Sequence, residues 1–172
     1  MLKQREEDFQ TLVKPEAVEI FEKHGVYTKA EMESRAEVMY ETYSKTINIE
    51  ALTMIDMAKK QIVPATIKYQ TSLAESVNAI KAASSAVDTS VQEALMADIS
   101  TNLKDMYVAL AHLEEVAGKA EAMEEGAEQG HYYHDVVFTA MDELRAPIDK
   151  LEMLVAKSAW PFPSYGDLIF EV

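Results

Sequence analysis

The chain has 172 residues, no cysteine, and a net charge of −14 from 30 acidic against 16 basic residues. The missing cysteines exclude disulfides, thiolate metal sites and thiol nucleophiles, and fit a reducing cytoplasm. The acidic balance repels phosphate backbones and anionic lipid, which argues against nucleic-acid and membrane partners and for a well-solvated surface.

The length suits one sizeable core. Five Gly and five Pro, in a chain rich in Ala, Met, Glu, Lys and Leu, favour helix over sheet. No apolar run approaches the length of a membrane span, and the charged start Met1-Leu-Lys-Gln-Arg-Glu lacks the apolar stretch of a signal peptide.

Residues 1–14 read as an irregular lead with scattered Leu2, Phe9, Leu12 and Val13. Lys14-Pro15-Glu16 opens a short helix over 15–25, since Pro suits the first helical position and an acid suits the first turn. Ala17, Ile20 and Phe21 are its expected apolar side, and His24-Gly25 its stop. Thr28-Lys-Ala-Glu31 is a capping box that starts the long helices of residues 28–157. Met32, Ala36, Met39, Tyr40 and Tyr43 follow at helical spacing. Ser44–Glu50 is the weakest part, where side-chain acceptors and β-branching compete with the helix and a kink or break is open. From Leu52 the stripe recovers through Ile55, Ala58, Ile62, Ala65, Tyr69, Leu73, Ser76 and Ile80, with a bend expected at Pro64.

Ser84–Ser90 reads as a polar turn, and Ser90-Val-Gln-Glu93 as a second capping box. The cleanest pattern follows: Leu95, Ile99, Leu103, Met106, Leu110, Leu113, Ala117 and Ala120, at intervals of four and three close to a coiled-coil seam. Glu124–Gly130 is expected to be an exposed loop. A last helix from about His131 to Ala156 carries Tyr133, Val137, Ala140, Leu144, Ile148, Leu151 and Val155, with a kink expected at Pro147. The expected fold is all-α: an elongated antiparallel bundle of three long helices, a short N-terminal helix and an irregular C-terminal tail. Residues 1–172 are expected to form one domain.

The tail, residues 158–172, stands apart. Pro161 and Pro163 remove backbone donors, so it cannot prolong the preceding helix. It also holds the only Trp and two of the five Phe, and such side chains gain free energy by leaving water. Trp160, Phe162, Tyr165, Leu168 and Phe170 are therefore candidate docking residues, on the chain's own helices or on a larger body.

Motifs that carry chemistry are sparse. No phosphate loop, dinucleotide fingerprint or nucleophile elbow occurs. His131-Tyr-Tyr-His134-Asp135 places two histidines one turn apart, and Glu128-Gln-Gly-His131 imitates half of a diiron-bundle motif. The second half is absent, and Gly130 is expected to break the helix, so a polar helix start is the preferred reading. Glu114, Glu115, Glu121, Glu124, Glu125 and Glu128 read as a solvated face, with weak divalent-cation binding as the sharper alternative. Met54, Met57, Met106 and Met141 read as core filler. Lys59, Lys60 and Arg145 read as surface ion-pair partners, with a bound anionic metabolite as the alternative. No catalytic, cofactor-binding or metal-ligating residue is assigned.

Three segments together resemble the C-terminal region of type III glutamine synthetases, the long-subunit bacterial form. They are Leu12-Val-Lys-Pro-Glu-Ala-Val-Glu-Ile-Phe-Glu-Lys-His-Gly25; Tyr43-Ser-Lys-Thr-Ile-Asn-Ile-Glu-Ala-Leu through Ile62-Val-Pro-Ala-Thr-Ile-Lys-Tyr-Gln70; and Leu144-Arg-Ala-Pro-Ile-Asp-Lys-Leu-Glu-Met-Leu-Val155 with Trp160-Pro-Phe-Pro-Ser-Tyr-Gly-Asp-Leu-Ile-Phe-Glu-Val172. Residues 84–130 add little specificity. The resemblance implies a non-catalytic part of an ATP-dependent enzyme that joins ammonia to glutamate, with ATP and a divalent metal (Mg or Mn) bound by regions that lie upstream in that family. Met1 is then expected to be an internal start. Partners would be the rest of the parent subunit and neighbouring subunits of a ring-shaped homo-oligomer. Two readings compete: an independent helical scaffold or adaptor, and a carboxylate–histidine metalloenzyme.

Overall fold

A computed structural model describes residues 9, 11–163 and 165–170, and among these residues every regular element is helical. The elements are α1 (Pro15–Lys23), α2 (Lys29–Met57), a π-helical turn (Ala58–Ile62), α3 (Val63–Ala83), α4 (Ser90–Glu121), α5 (Ala127–Tyr132), a second π-helical turn (Tyr133–Val137), α6 (Phe138–Leu154) and α7 (Tyr165–Phe170). The chain divides into two compact units, one of Met1–Leu52 and Leu113–Met141, the other of Thr53–His112 and Asp142–Val172. The divisions fall inside α2, α4 and α6.

Local chemistry sets the helix ends within the first unit. Pro15 occupies the first turn of α1, and α1 stops in a Schellman arrangement at Gly25, whose φ is +64°. Val26 N–H donates to Phe21 O at 2.9 Å and Gly25 N–H to Glu22 O at 3.0 Å. The expected apolar side of α1 needs correction: Val18 is buried, whereas Ile20 is 58% exposed. The Thr28 capping box forms as expected. Thr28 N–H donates to Glu31 Oε2 at 2.8 Å, and Glu31 N–H donates to Thr28 Oγ1 at 3.3 Å. The Thr28 N–H bond, and then the Thr28 Oγ1 hydroxyl donating to Glu31 Oε2 at 2.9 Å, hold the Glu31 carboxyl below its ordinary value.

Helix α2 runs without interruption through Ser44–Glu50. Thr46 Oγ1 donates back to Thr42 O at 2.8 Å, so this hydroxyl is used within the helix. Met32, Ala36, Tyr40, Tyr43, Ile47 and Ala51 are buried. Their spacing of three and four puts them on one face. Leu113, Val116, Ala117 and Ala120 of α4, with Tyr133, Val137 and Ala140, are buried in the same unit. Burial of each large apolar side chain contributes about 1.5–3 kcal/mol.

In the second unit the core comprises Ile55, Ala58, Ile62, Thr66 and Val77, then Ile99, Met106 and Leu110, then Leu144, Leu151 and Val155. Leu52, in the first unit, was expected to resume this stripe and is 48% exposed. Pro64 lies in the first turn of α3, directly after the π-helical turn, where Val63 N–H reaches back to Ala58 O. The helix is thus locally widened just before Pro64. Pro147 is buried inside α6, which continues through it. At the expected Ser90–Glu93 box the bonds run differently: Ser90 N–H donates to Asp88 Oδ1 at 2.9 Å, and Glu93 Oε1 accepts from Thr89 Oγ1 at 2.8 Å. Glu93 also pairs with Lys81, and Lys81 and Thr89 together hold its carboxyl below the ordinary range. Gln70 Nε2 donates to Met96 O at 3.3 Å, a further tie between α3 and α4.

The C-terminal tail is less irregular than expected, since α7 forms at Tyr165–Phe170.

Candidate functional site

The docking candidates in the tail fall into two groups. Trp160 and Phe162 are half-buried and meet edge to face, with ring centroids 6.2 Å apart. Trp160 N–H donates to Ala156 O at 3.0 Å, which turns the chain just beyond α6. Farther on, Lys157 pairs with Asp167 and ties α7 to that turn. Leu168 is 67% exposed and its neighbour Ile169 63%. The side chains of Tyr165 and Phe170 lie outside the described residues. The tail therefore offers partly covered aromatic rings next to open aliphatic side chains, and Met153 near the end of α6 is 86% exposed.

The His131–Asp135 motif is placed quite differently from a metal site. The His131 ring lies 5.6 Å from the Tyr40 ring, and the His134 ring 6.4 Å from that of Tyr43. Phe9 joins the same cluster, 5.5 Å from Tyr40 at an interplanar angle of 83°. His134 Nδ1 is 2.7 Å from Asp135 Oδ1. Among the described residues no group of three or more His, Asp or Glu is arranged to hold a metal ion.

Gly130 requires the clearest correction. It does not break the helix; α5 already begins at Ala127, and the chain reverses at Gly126, whose φ of +143° is a conformation for glycine. Gly130 is buried, and a Cβ there would lie 2.6 Å from Tyr40 Cδ1. The glycine is what lets α5 approach the tyrosine ring. The expected exposed loop is thus mostly helix, with Gln129 buried and its Nε2 donating to Ala120 O at 3.0 Å.

That packing leaves a polar cleft of about 410 Å³ in the first unit, which sequence reasoning missed. Glu41, Ser44, Lys45 and Asn48 of α2 line it, with Glu121 at the end of α4, Met123, Glu125, Gln129 and Tyr133. Lys45 pairs with Glu41, and Glu125 adds to the field that raises the Lys45 pKa. Burial raises the Tyr133 pKa, with the charge of Glu121 adding to it. Ser44 and Asn48 were legible as residues that weaken a helix; their common face was the unused signal.

The remaining candidates are ordinary. Lys60 pairs with Asp56, and Arg145 with Asp149 at 3.5 Å. Glu115 accepts from Lys119 at 2.6 Å. Met106 is fully buried and Met54, Met57 and Met141 are half-buried, as core filler should be. His112 Nδ1 lies 3.1 Å from Glu143 Oε2, linking α4 to α6. No described helix is long and apolar enough to cross a membrane.

The described residues are thus all-helical, with exposed aliphatic side chains in the tail and a polar cleft in the first unit. Comparison with known proteins gives matches to one family. The model described as "Glutamine synthetase C-terminal domain" matches residues 1–81. A glutamine synthetase of Butyrivibrio fibrisolvens is 32% identical over 93% of this chain and 23% of its own length. A type-3 glutamine synthetase of Dictyostelium discoideum is 26% identical over 89% of this chain and 21% of its own. A glutamine synthetase of Bacteroides fragilis (strain YCH46) is 29% identical over 84% and 20%. Residues 1–81 thus match the glutamine synthetase C-terminal domain family, and most of the chain aligns with proteins named glutamine synthetase. The chain spans about a fifth of the length of these relatives.

Proposed function

We propose that this chain is the non-catalytic, helical C-terminal domain of a type III glutamine synthetase, the long-subunit bacterial form, working in the cytoplasm. One observation carries the reading: relatives named glutamine synthetase align with most of this chain, yet the chain accounts for only about a fifth of each. In this reading the parent ligates ammonia to glutamate with ATP and Mg or Mn, and the regions that do so lie outside this chain. The domain's own role is structural. Its long helices pack as an antiparallel bundle, cover the catalytic body and support contacts between subunits of a homo-oligomer.

The tail is the proposed contact surface. Trp160, Phe162, Tyr165, Leu168 and Phe170 would pack against neighbouring parts of the assembly, and the exposure of Leu168, Ile169 and Met153 supports this. Side chains of that kind gain most by being covered. Deleting residues 159–172 from the full-length parent is expected to lower its oligomer content in sedimentation and its melting temperature. Unchanged assembly and melting would overturn the docking role. A glutamine-forming assay on the 172-residue chain is expected to give background only, and turnover above background would overturn the non-catalytic assignment.

A further inference from the structure

We propose that the polar cleft of the first unit binds a small organic cation bearing N–H donors, of the alkylammonium class. The proposal goes beyond the glutamine synthetase reading and does not depend on it. Three independent features meet at the cleft. The first is charge: Glu41, Glu121 and Glu125 line it against the single ammonium of Lys45. The second is the end of α4, whose helix terminates at Glu121. The final carbonyls of a helix carry a partial negative charge and favour cations.

The third feature is specific to a ligand with donors. Ser44 is 3% exposed, lines the cleft, and its Oγ has no hydrogen-bond partner. Asn48 Oδ1, one helical turn along the same face, is also buried without a partner. An amide oxygen accepts and never donates, so its complement is an N–H or O–H group. Leaving such an atom buried and unmatched is unfavourable. Acceptors beside excess carboxylates therefore call for a cation rather than an anion, and since no group of three or more His, Asp or Glu among the described residues is arranged to hold a metal ion, an ammonium is the better match. The volume lies at the low end for small-molecule sites, which suits a compact amine.

Calorimetric titration of the 172-residue chain with putrescine, at near-physiological ionic strength, tests this. Saturable one-to-one binding is expected. Tetramethylammonium, a cation without N–H donors, is expected not to compete. Ser44→Ala and Glu121→Gln should each weaken putrescine binding about tenfold, the equivalent of one charge-assisted hydrogen bond. Circular dichroism of both variants should match the parent chain. Amide shifts in NMR provide a second readout and should cluster at residues 41–48 and 121–133. Non-saturable binding, equal competition by tetramethylammonium, undiminished binding in both variants, or shifts centred elsewhere would each overturn the proposal.

Discussion

The two π-helical turns have the same backbone form and different origins. At Ala58–Ile62 the cause is covalent and lies next door. Pro64 offers no N–H, and its ring crowds the carbonyl four residues back, so a wider turn just before it relieves both defects. At Tyr133–Val137 no proline is near. Pro147 lies ten residues farther on, inside an α6 that continues through it. What surrounds the second turn is packing: buried Tyr133 and Val137, and Gly130 held against the Tyr40 ring. A proline is thus neither necessary nor sufficient for this device, and tertiary contact imposes it equally well. Only the second turn adjoins the cleft, through Tyr133.

If packing holds the second turn, removing its largest side chain should release it. Tyr133 is 2% exposed. Tyr133→Ala is expected to destabilise the chain by roughly 3–5 kcal/mol, the range for losing a buried aromatic. Urea denaturation measures the loss, and hydrogen exchange across 130–138 should rise more than across 56–64. Equal exchange at both turns would erase the distinction drawn between them.

Gly130→Ala sharpens the same point from the other side. The added methyl would meet Tyr40 Cδ1 at 2.6 Å, so the ring or α5 must shift. Overpacking of this kind costs about 1–3 kcal/mol, offset by up to ~1 kcal/mol of better helix propensity. A net loss in melting temperature is expected. Tyr40→Ala in the same chain should restore tolerance of the alanine, which a double-mutant cycle would show as coupling.

Much of this fold was legible in sequence because its signals are local. The Thr28–Glu31 box, the Gly25 stop and the α4 stripe each rest on residues within four positions of one another. The misreadings share the opposite property. Gly130 carries a poor local helix propensity, and only the distant Tyr40 ring explains why it sits inside a helix. Glu93 meets Thr89 rather than Ser90, whose own amide engages Asp88, a choice between adjacent capable residues that spacing alone does not make. The cleft was hidden because its members come from α2 and from the end of α4 onward, about 80 residues apart in sequence. The tail was legible as apolar and non-helical at its prolines, but α7 beyond them was not.

The cap that starts α2 provides a control for both turns, since it sits far from either along the chain. Thr28→Ala is expected to cost about 1 kcal/mol and to leave hydrogen exchange at both π-turns in its original rank. The cap also predicts a pH response. Hydrogen bonds lower the folded-state pKa of Glu31, Asp88 and Glu93. A carboxyl lowered on folding contributes stability that is present above its unfolded value, near 4.5 for Glu and 3.8 for Asp. That stability is lost as pH falls through the folded values. Acid titration of the melting temperature should therefore slope downward from about pH 4.5, and Glu31→Gln should flatten part of that slope.

Pro64→Ala has the smallest expected effect on stability and bears most directly on the comparison. Alanine restores an N–H and removes the ring, so the covalent reason for the first π-turn disappears. A regained backbone hydrogen bond contributes about 0.5–1.5 kcal/mol. Losing proline also enlarges the unfolded ensemble, which offsets about 0.4–1 kcal/mol. The net change in urea midpoint should be close to zero. The backbone should change nonetheless, with residues 58–64 reverting to an ordinary α-helical ladder in a crystal structure or in NMR hydrogen-bond couplings. The turn at Tyr133–Val137 should stay as it is. Persistence of the first turn without its proline would mean that packing around buried Ala58 and Ile62 is cause enough, and the two turns would then have one origin.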